Sequence, residues 1–374
     1  MKKENVELLP KFIFVFFNVL IVLFIFIYPA SLLPFPPIAH FNDVNNILRP
    51  LQAFLSGVHH SLYTHFDTLR YFGPYLVGFL PLALLPLSIA DMIVAFLMLF
   101  IFDEFLLLLH KYQQISLWRL NAVFLFLPVA QMFYLDHLMS LIGLVFLVLG
   151  YIFYQKDKWY IAGILFAIAS MRAGNVIPLV PVFLFFHWKE VRNIFKLLLG
   201  AMTFFVPTTI CITLLDSHWL FEYLHRLNVY ATTSEPSGLL DLAAHFGKIG
   251  IISWELVVIA LIFVVIHYFK IKKISWGFFT FLLCISFFTA PQPTIYPAIF
   301  AIPLLLEISK EQPKEAIFLI LLPALVFLLN IIIPGFNFNG IVIQPIVSFV
   351  CFAAIALFLK INYVNKNNKL QLSS

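Results

Sequence analysis

The sequence predicts an all-α polytopic membrane protein. It reads as a transmembrane helical bundle of about 10–13 membrane segments, with amphipathic juxtamembrane helices in its first outer loop. Three observations predict this. The 374 residues are 62% hydrophobic and only 11% charged, with mean hydropathy +1.00, whereas a water-soluble domain is about half apolar and a quarter charged. Runs such as Phe12–Pro29, Met92–Leu109, Val257–His267 and Ile341–Leu359 are long enough, or nearly so, to span a bilayer core of about 30 Å. Lysines cluster in the short polar gaps between such runs, where topology is encoded.

The first run is expected to be a retained span. Lys2, Lys3 and Lys11 flank it, but Pro29, Pro34, Pro36 and Pro37 stand where a small-residue cleavage site would follow a signal peptide. Further spans are expected near 91–109, 119–134, 138–154, 159–170, 174–187, 194–215, 252–269, 274–289, 295–308, 315–333 and 341–360. With the N-terminus inside, 18 of the 23 Lys and Arg lie inside or at inner helix ends, and only Arg49, Arg70, Arg172, Arg226 and Lys248 lie outside. That asymmetry orients the chain with both termini cytoplasmic. The organisation is one membrane domain over 1–374, with a first outer loop at 30–90 and a second at 216–251.

Two stretches strain a simple count. Residues 74–89 are apolar but interrupted by Pro81 and Pro86, and counting them as a span would invert every later loop. They read as a re-entrant or interfacial helix pair. Segments 159–170 and 174–187 are too short to cross. They read as a hairpin dipping from the inner side with Arg172 near its tip, a geometry tolerated only where it lines a cavity or is buried in protein. Cys211, Cys284 and Cys351 each sit in an apolar run, so buried thiols without disulfide or metal are expected. The net charge of +5 is topological and does not point to nucleic acid.

Polar residues concentrate outside. Eight of 11 histidines (His40, His59, His60, His65, His137, His218, His225 and His245) and four of six arginines fall there. Arginine offers a planar, permanently charged fork and histidine further donors, so the set suits a phosphate. Contact with lipid headgroups and helix capping are the plainer roles for any single one of them. In the first outer loop, Val44, Ile47, Leu48, Leu51 and Leu55 recur at helical spacing, opposite Asn45, Asn46, Arg49 and Gln52. This predicts a helix on the membrane surface, kinked or split at Pro50, with Asp43 at its beginning as a capping residue, a catalytic carboxylate or both.

From this loop onward the chain resembles the GT-C glycosyltransferases, in the branch that uses polyprenol-phosphate mannose. The matching order is one span, Asp43, a Phe-Leu-x-Gly turn at Phe54 to Gly57, Leu62-Tyr63, an aromatic-Pro step from Tyr71 to Pro74, and Pro81-Leu-Ala-Leu-Leu-Pro86. Tyr160 to Arg172, followed by Pro178-Leu-Val-Pro181, is similar to the family's basic residue in a broken hairpin. The likeness covers roughly 12–215. Where the family shows a Gly-Gln pair before its fourth span, this chain has Leu135-Asp136-His137, and the hairpin residue, commonly Lys, is Arg172.

The resemblance implies a membrane glycosyltransferase (a hexosyltransferase) moving mannose or another hexose or pentose. The donor would be a polyprenyl-phosphate sugar, the acceptor a glycan or glycolipid on the outer face, and transfer inverting. Asp43 would be the general base. Arg172, with Arg49, Arg70 and His65, would hold the donor phosphate. Asp67, Asp136, His137, His218, Glu222, His225 and Arg226 are candidates for acceptor contacts. No cofactor or metal is expected: there is no Asp-x-Asp pair and no glycine-rich strand-to-helix turn for a nucleotide sugar. Lys-, Asn- and Phe-rich usage points to a low-GC bacterium and its inner membrane. The alternatives are a multi-pass lipid or oligosaccharide transporter or flippase, which would show inverted repeats and midplane charges, and a non-catalytic membrane subunit.

Overall fold

A computed structural model describes residues 9–20, 42–58, 61–63, 72–134, 137–172, 176, 178–225, 247–289, 296–332 and 343–371. Within these residues the protein is helical and contains no strand. The helices are α1 (Leu9–Leu20), α2 (Asn42–Leu55), α3 (Gly73–Leu76), α4 (Leu80–Ala83), α5 (Leu87–Gln113), α6 (Leu117–Val123), α7 (Leu127–Tyr134), α8 (Leu138–Gln155), α9 (Trp159–Ala169), α10 (Leu179–His187) and α11 (Val191–Leu215). Residues 219–225 form α12. There follow α13 (Gly247–Phe269), α14 (Trp276–Ile285), α15 (Ile302–Glu311), α16 (Pro313–Ile332) and α17 (Ile343–Gln371). Five of them, α5, α8, α11, α13 and α17, are long and apolar enough to cross a membrane, and α1, α9 and the 73–83 and 276–289 segments are shorter apolar helices. This is the all-α polytopic bundle that composition predicts.

Interlocking aromatic rings fill the interior. Phe102 of α5 meets Phe124 at 5.6 Å and Phe133 at 5.5 Å, while Phe14 and Phe17 of α1 close on Phe124 from the other side. Between helices in a bilayer such packing is the main attraction, because lipid is as apolar as leucine. The closest approach is that of α9 and α11. A Cβ on Gly163 would fall on the Leu197 carbonyl, and one on Gly200 on the Tyr160 carbonyl. Glycine at both positions lets the two backbones touch.

Polar bonds sort the helix ends into two sets. At the lysine-rich end, Lys310 Nζ donates to Gln113 Oε1 at 3.0 Å, Gln155 Nε2 to the Ile274 carbonyl at 2.8 Å and Asn121 Nδ2 to the Pro10 carbonyl at 3.0 Å. Tyr154 and His187 share a 2.7 Å bond there, and Asn193 and His187 hold the Glu190 carboxyl below its usual range. At the opposite end, Trp254 Nε1 donates to the Phe288 carbonyl at 2.8 Å.

Helices α9 and α10 lie side by side as the two arms of a hairpin. Trp159 and His187 meet edge to face at 4.8 Å at its base, Phe166 and Phe183 meet at 5.3 Å midway, and a 3-10 turn at Ser170–Arg172 lies toward the tip. Residues 74–89, expected as a helix pair, hold two short helices joined by a 3-10 turn. They are α3, a 3-10 turn at Val77–Phe79 and α4, and Pro86 then precedes α5, which begins at Leu87. Other expectations need correction. The segment 119–134 is broken into α6 and α7. The helix α2 runs unbroken through Pro50. Its Val44, Ile47, Leu48 and Leu51 are buried in protein against α4 and α5, not laid into lipid. Asp43 stands in the first turn of α2 as described from Asn42, at the beginning of that helix as expected.

Candidate functional site

The loop end of the bundle is built from α2 outward. Gln52 Nε2 donates to the Leu85 carbonyl at 2.8 Å and ties α2 to the turn before α5. Arg49, exposed on α2, lies close enough to act on the charge of Asp91, near the start of α5. The Phe-Leu-x-Gly turn ends α2: Gly57 takes φ +72°, its N–H meets the Phe54 carbonyl at 3.0 Å, and that of Val58 reaches Ala53 at 3.0 Å. A left-handed residue closing a helix in this way is the ordinary role of glycine.

Two carboxylates then fasten the first outer loop to the second. Asp216, buried at the end of α11, accepts the Leu62 N–H at 3.0 Å and the His218 N–H at 2.9 Å. Ser61 Oγ donates to Glu222 Oε2. Tyr63, fully buried, packs on Tyr223 at 5.8 Å, and burial pushes its phenol well above the usual range, with Tyr223, Asp216 and Glu222 adding to the effect. Burial also raises the Tyr223 phenol. Phe72 sits between Trp219 at 5.2 Å and Tyr223 at 5.3 Å. A Cβ on Gly73 would stand 2.6 Å from the Trp219 ring, so only glycine lets the aromatic-Pro step pass beneath the indole. Trp219 is fixed in turn, Nε1 donating to Thr213 Oγ1 at 2.9 Å.

The hairpin joins the same cluster. Tyr75 OH and Ser170 Oγ are 2.6 Å apart, and Ser170 Oγ donates to the Ala167 carbonyl at 2.7 Å, two residues before Arg172. Beside this bond lies an apolar cavity of about 390 Å³, walled by Pro74, Phe79, Leu97, Leu138, Phe146 and Met171.

Of the residues expected from the sequence, Asp43 stands in the first turn of α2 and Arg172 ends the 3-10 turn at the hairpin tip. Glu222 is brought onto the first outer loop through Ser61. His218 is exposed, its ring nitrogen 3.1 Å from Ser217 Oγ, and His225 is exposed near the end of α12. His137 is instead buried at the α7–α8 junction, its N–H on the Met132 carbonyl and its own carbonyl receiving the Ser140 N–H at 3.1 Å, which makes it part of the helix start. His65, Asp67, Arg70, Asp136 and Arg226 lie outside the described residues. Among the described residues no group of His, Cys, Asp and Glu has metal-binding spacing.

Sequence reasoning missed Asp216, Ser61, Tyr75, Ser170 and Trp219. Asp216 did carry a signal: a carboxylate just past the C-terminus of a long apolar helix opposes the helix dipole, so other donors have to hold it. No protein-family model, curated protein or solved structure matches this chain.

Proposed function

We propose that this protein is a membrane glycosyltransferase that moves a sugar from a polyprenyl-phosphate donor to a glycan or glycolipid acceptor at the loop end of the bundle. The observation that carries this reading is that the loop after α2 bonds the 216–225 segment, Leu62 to Asp216 and Ser61 to Glu222, while Tyr75 reaches Ser170, two residues before Arg172. Hairpin residues Ile168 and Met171 line an apolar cavity beside the Tyr75–Ser170 bond, and that cavity suits an isoprenoid chain. In the reaction, the acceptor oxygen bonds to the anomeric carbon while the bond from that carbon to the phosphate oxygen breaks. The lipid phosphate leaves with the electron pair, and Asp43 takes the acceptor proton. Charge grows on the departing phosphate, and Arg172 and Arg49 would stabilise it. The donor's polyprenyl tail accounts for a pocket that is almost wholly apolar, which a water-soluble nucleotide sugar would not need.

The test is transfer of labelled sugar from a synthetic polyprenyl-phosphate donor by purified protein in nanodiscs. Wild type should transfer, Arg172→Gln should lose transfer while remaining folded, and Arg172→Lys should keep part of it. Transfer at the wild-type rate in Arg172→Gln removes this residue from the phosphate site. Failure of wild type across lipid-linked sugars would turn the reading toward a transporter or a subunit.

In this reading the loop end faces away from the cytoplasm of a bacterial cell. A cysteine placed at Ser237 should then react with an impermeant thiol reagent added outside, and one at Asn367 should not. Reversed labelling would move the site to the cytoplasmic face.

A further inference from the structure

At the lysine-rich end, remote from the loops just described, α13, α14, α15 and α17 leave a cavity of about 820 Å³ between them. Its origin is local. The helix α13 ends with Lys270 in the left-handed region at φ 51°, its N–H on His267 and the N–H of Ile271 on Ile266 at 3.0 Å. The chain then turns through 271–275 before α14 begins, with Ser275 as its N-cap. A space therefore opens beside the turn, and buried Phe278 and Ile308 line it together with half-buried Phe358 and Ile361. The apolar windows of α13 and α17, two of the helices that border the cavity, are only 17% and 22% buried. Both thus leave most residues of those windows outside the protein interior, where a bilayer would place lipid.

The polar lining is of both signs. Lys270 and Glu311 are exposed at the rim, and Asn362 lies between the apolar wall and solvent, its amide nitrogen committed to the Phe358 carbonyl at 2.8 Å and its oxygen left as an acceptor. Glu307 is paired with Lys310 at 2.7 Å, and Lys310 also donates to Gln113, so that lysine's charge is used inside the bundle. Lys270 and Glu311 remain as the opposed charges of the rim. Glu311 is also the last residue of α15, where the helix dipole adds negative potential and favours a cation.

We propose that this cavity binds a phospholipid whose headgroup carries a primary amine, drawn from the leaflet at the lysine-rich end. Its acyl chain lies along Phe278, Phe358 and Ile361. Its phosphate meets Lys270, and its ammonium donates to the Glu311 carboxylate and the Asn362 oxygen. A purely anionic lipid would satisfy Lys270 but set its charge against Glu311 and the α15 C-terminus. A choline lipid has no N–H to donate.

The experiment is native mass spectrometry of the full chain after reconstitution into vesicles of equal phosphatidylethanolamine, phosphatidylglycerol and phosphatidylcholine. Phosphatidylethanolamine should be retained preferentially. Glu311→Gln, an exposed change that leaves the fold alone, should lower that retention about tenfold, the worth of one charge-assisted hydrogen bond. Ile361→Trp, which narrows the apolar wall where the acyl chain lies, should lower lipid retention regardless of headgroup. Equal retention of the three lipids, preference for phosphatidylglycerol, or full retention in Glu311→Gln would each overturn the proposal.

Discussion

The Asp216 carboxylate and the Leu62 backbone N–H, 154 positions apart, are joined by a 3.0 Å hydrogen bond in a buried setting. The other carboxylate oxygen receives the His218 N–H at 2.9 Å, so one side chain fastens two loops. Removing it leaves the buried Leu62 N–H and the part-buried His218 N–H without this acceptor. Asp216→Ala should cost about 3 kcal/mol, and Asp216→Asn, which keeps one acceptor, less. Hydrogen exchange at Leu62 reads the contact directly: its amide should lose protection in both variants. Unchanged protection would mean that something else holds the loop.

The aromatic-Pro step depends on Gly73 passing beneath Trp219. Gly73→Ala should destabilise the protein by about 1–3 kcal/mol through overpacking. The penalty should shrink when Trp219 is first replaced by leucine, because the clash is then gone. Double-mutant thermal unfolding measures this, with an expected coupling of about 1 kcal/mol. Strict additivity would show that the two residues do not touch.

The α9–α11 contact sets where the hairpin tip stands. Gly163→Ala or Gly200→Ala pushes a methyl group into a backbone carbonyl, which cannot move aside as a side chain can. Each should cost about 2 kcal/mol or more. Each should also slow sugar transfer, since α9 carries the turn that ends in Arg172. Gly78→Ala, with nothing within 4 Å, is the comparison for stability, which it should leave unchanged. Equal tolerance at all three positions would contradict the close approach.

Asp43 separates catalysis from helix stabilisation. In the first turn of α2, an aspartate favours the helix through the dipole by about 0.3–1 kcal/mol, which is the most that Asp43→Asn should cost in stability. As general base it is worth far more: turnover should fall about a hundredfold while donor affinity holds. The readout is transfer rate and donor binding on the same nanodisc preparation. Near-normal turnover would release Asp43 from the mechanism and turn attention to Asp67 or Asp136.

Legibility in the sequence follows physical range. Hydropathy is a property of consecutive residues, so the membrane class, the helical fold and the positions of α5, α8, α11, α13 and α17 could be read directly. Charge along the same line separates the two helix ends, and the structure joins the ends accordingly, as at Lys310 and Gln113. The period of α2 likewise showed which side of that helix is apolar. What covers that side was not written locally. An amphipathic stripe looks the same whether lipid or protein closes it, and α4 and α5 close this one.

Breaks inside apolar runs were also beyond the line of sequence. Pro50 was expected to kink or split α2 and does not split it, whereas 119–134, expected as one span, breaks into α6 and α7, because the cost of a missing backbone bond depends on what packs around it. By itself the sequence determined the solvent, the fold class and the polar residues available at the loop end. Only the tertiary structure decided that Asp216 clamps Leu62, that Tyr75 reaches Ser170, that Glu222 meets Ser61 and that His137 is buried where α8 starts. Each of these is a contact across tens or hundreds of residues or a matter of burial, and neither composition nor periodicity carries information at that distance.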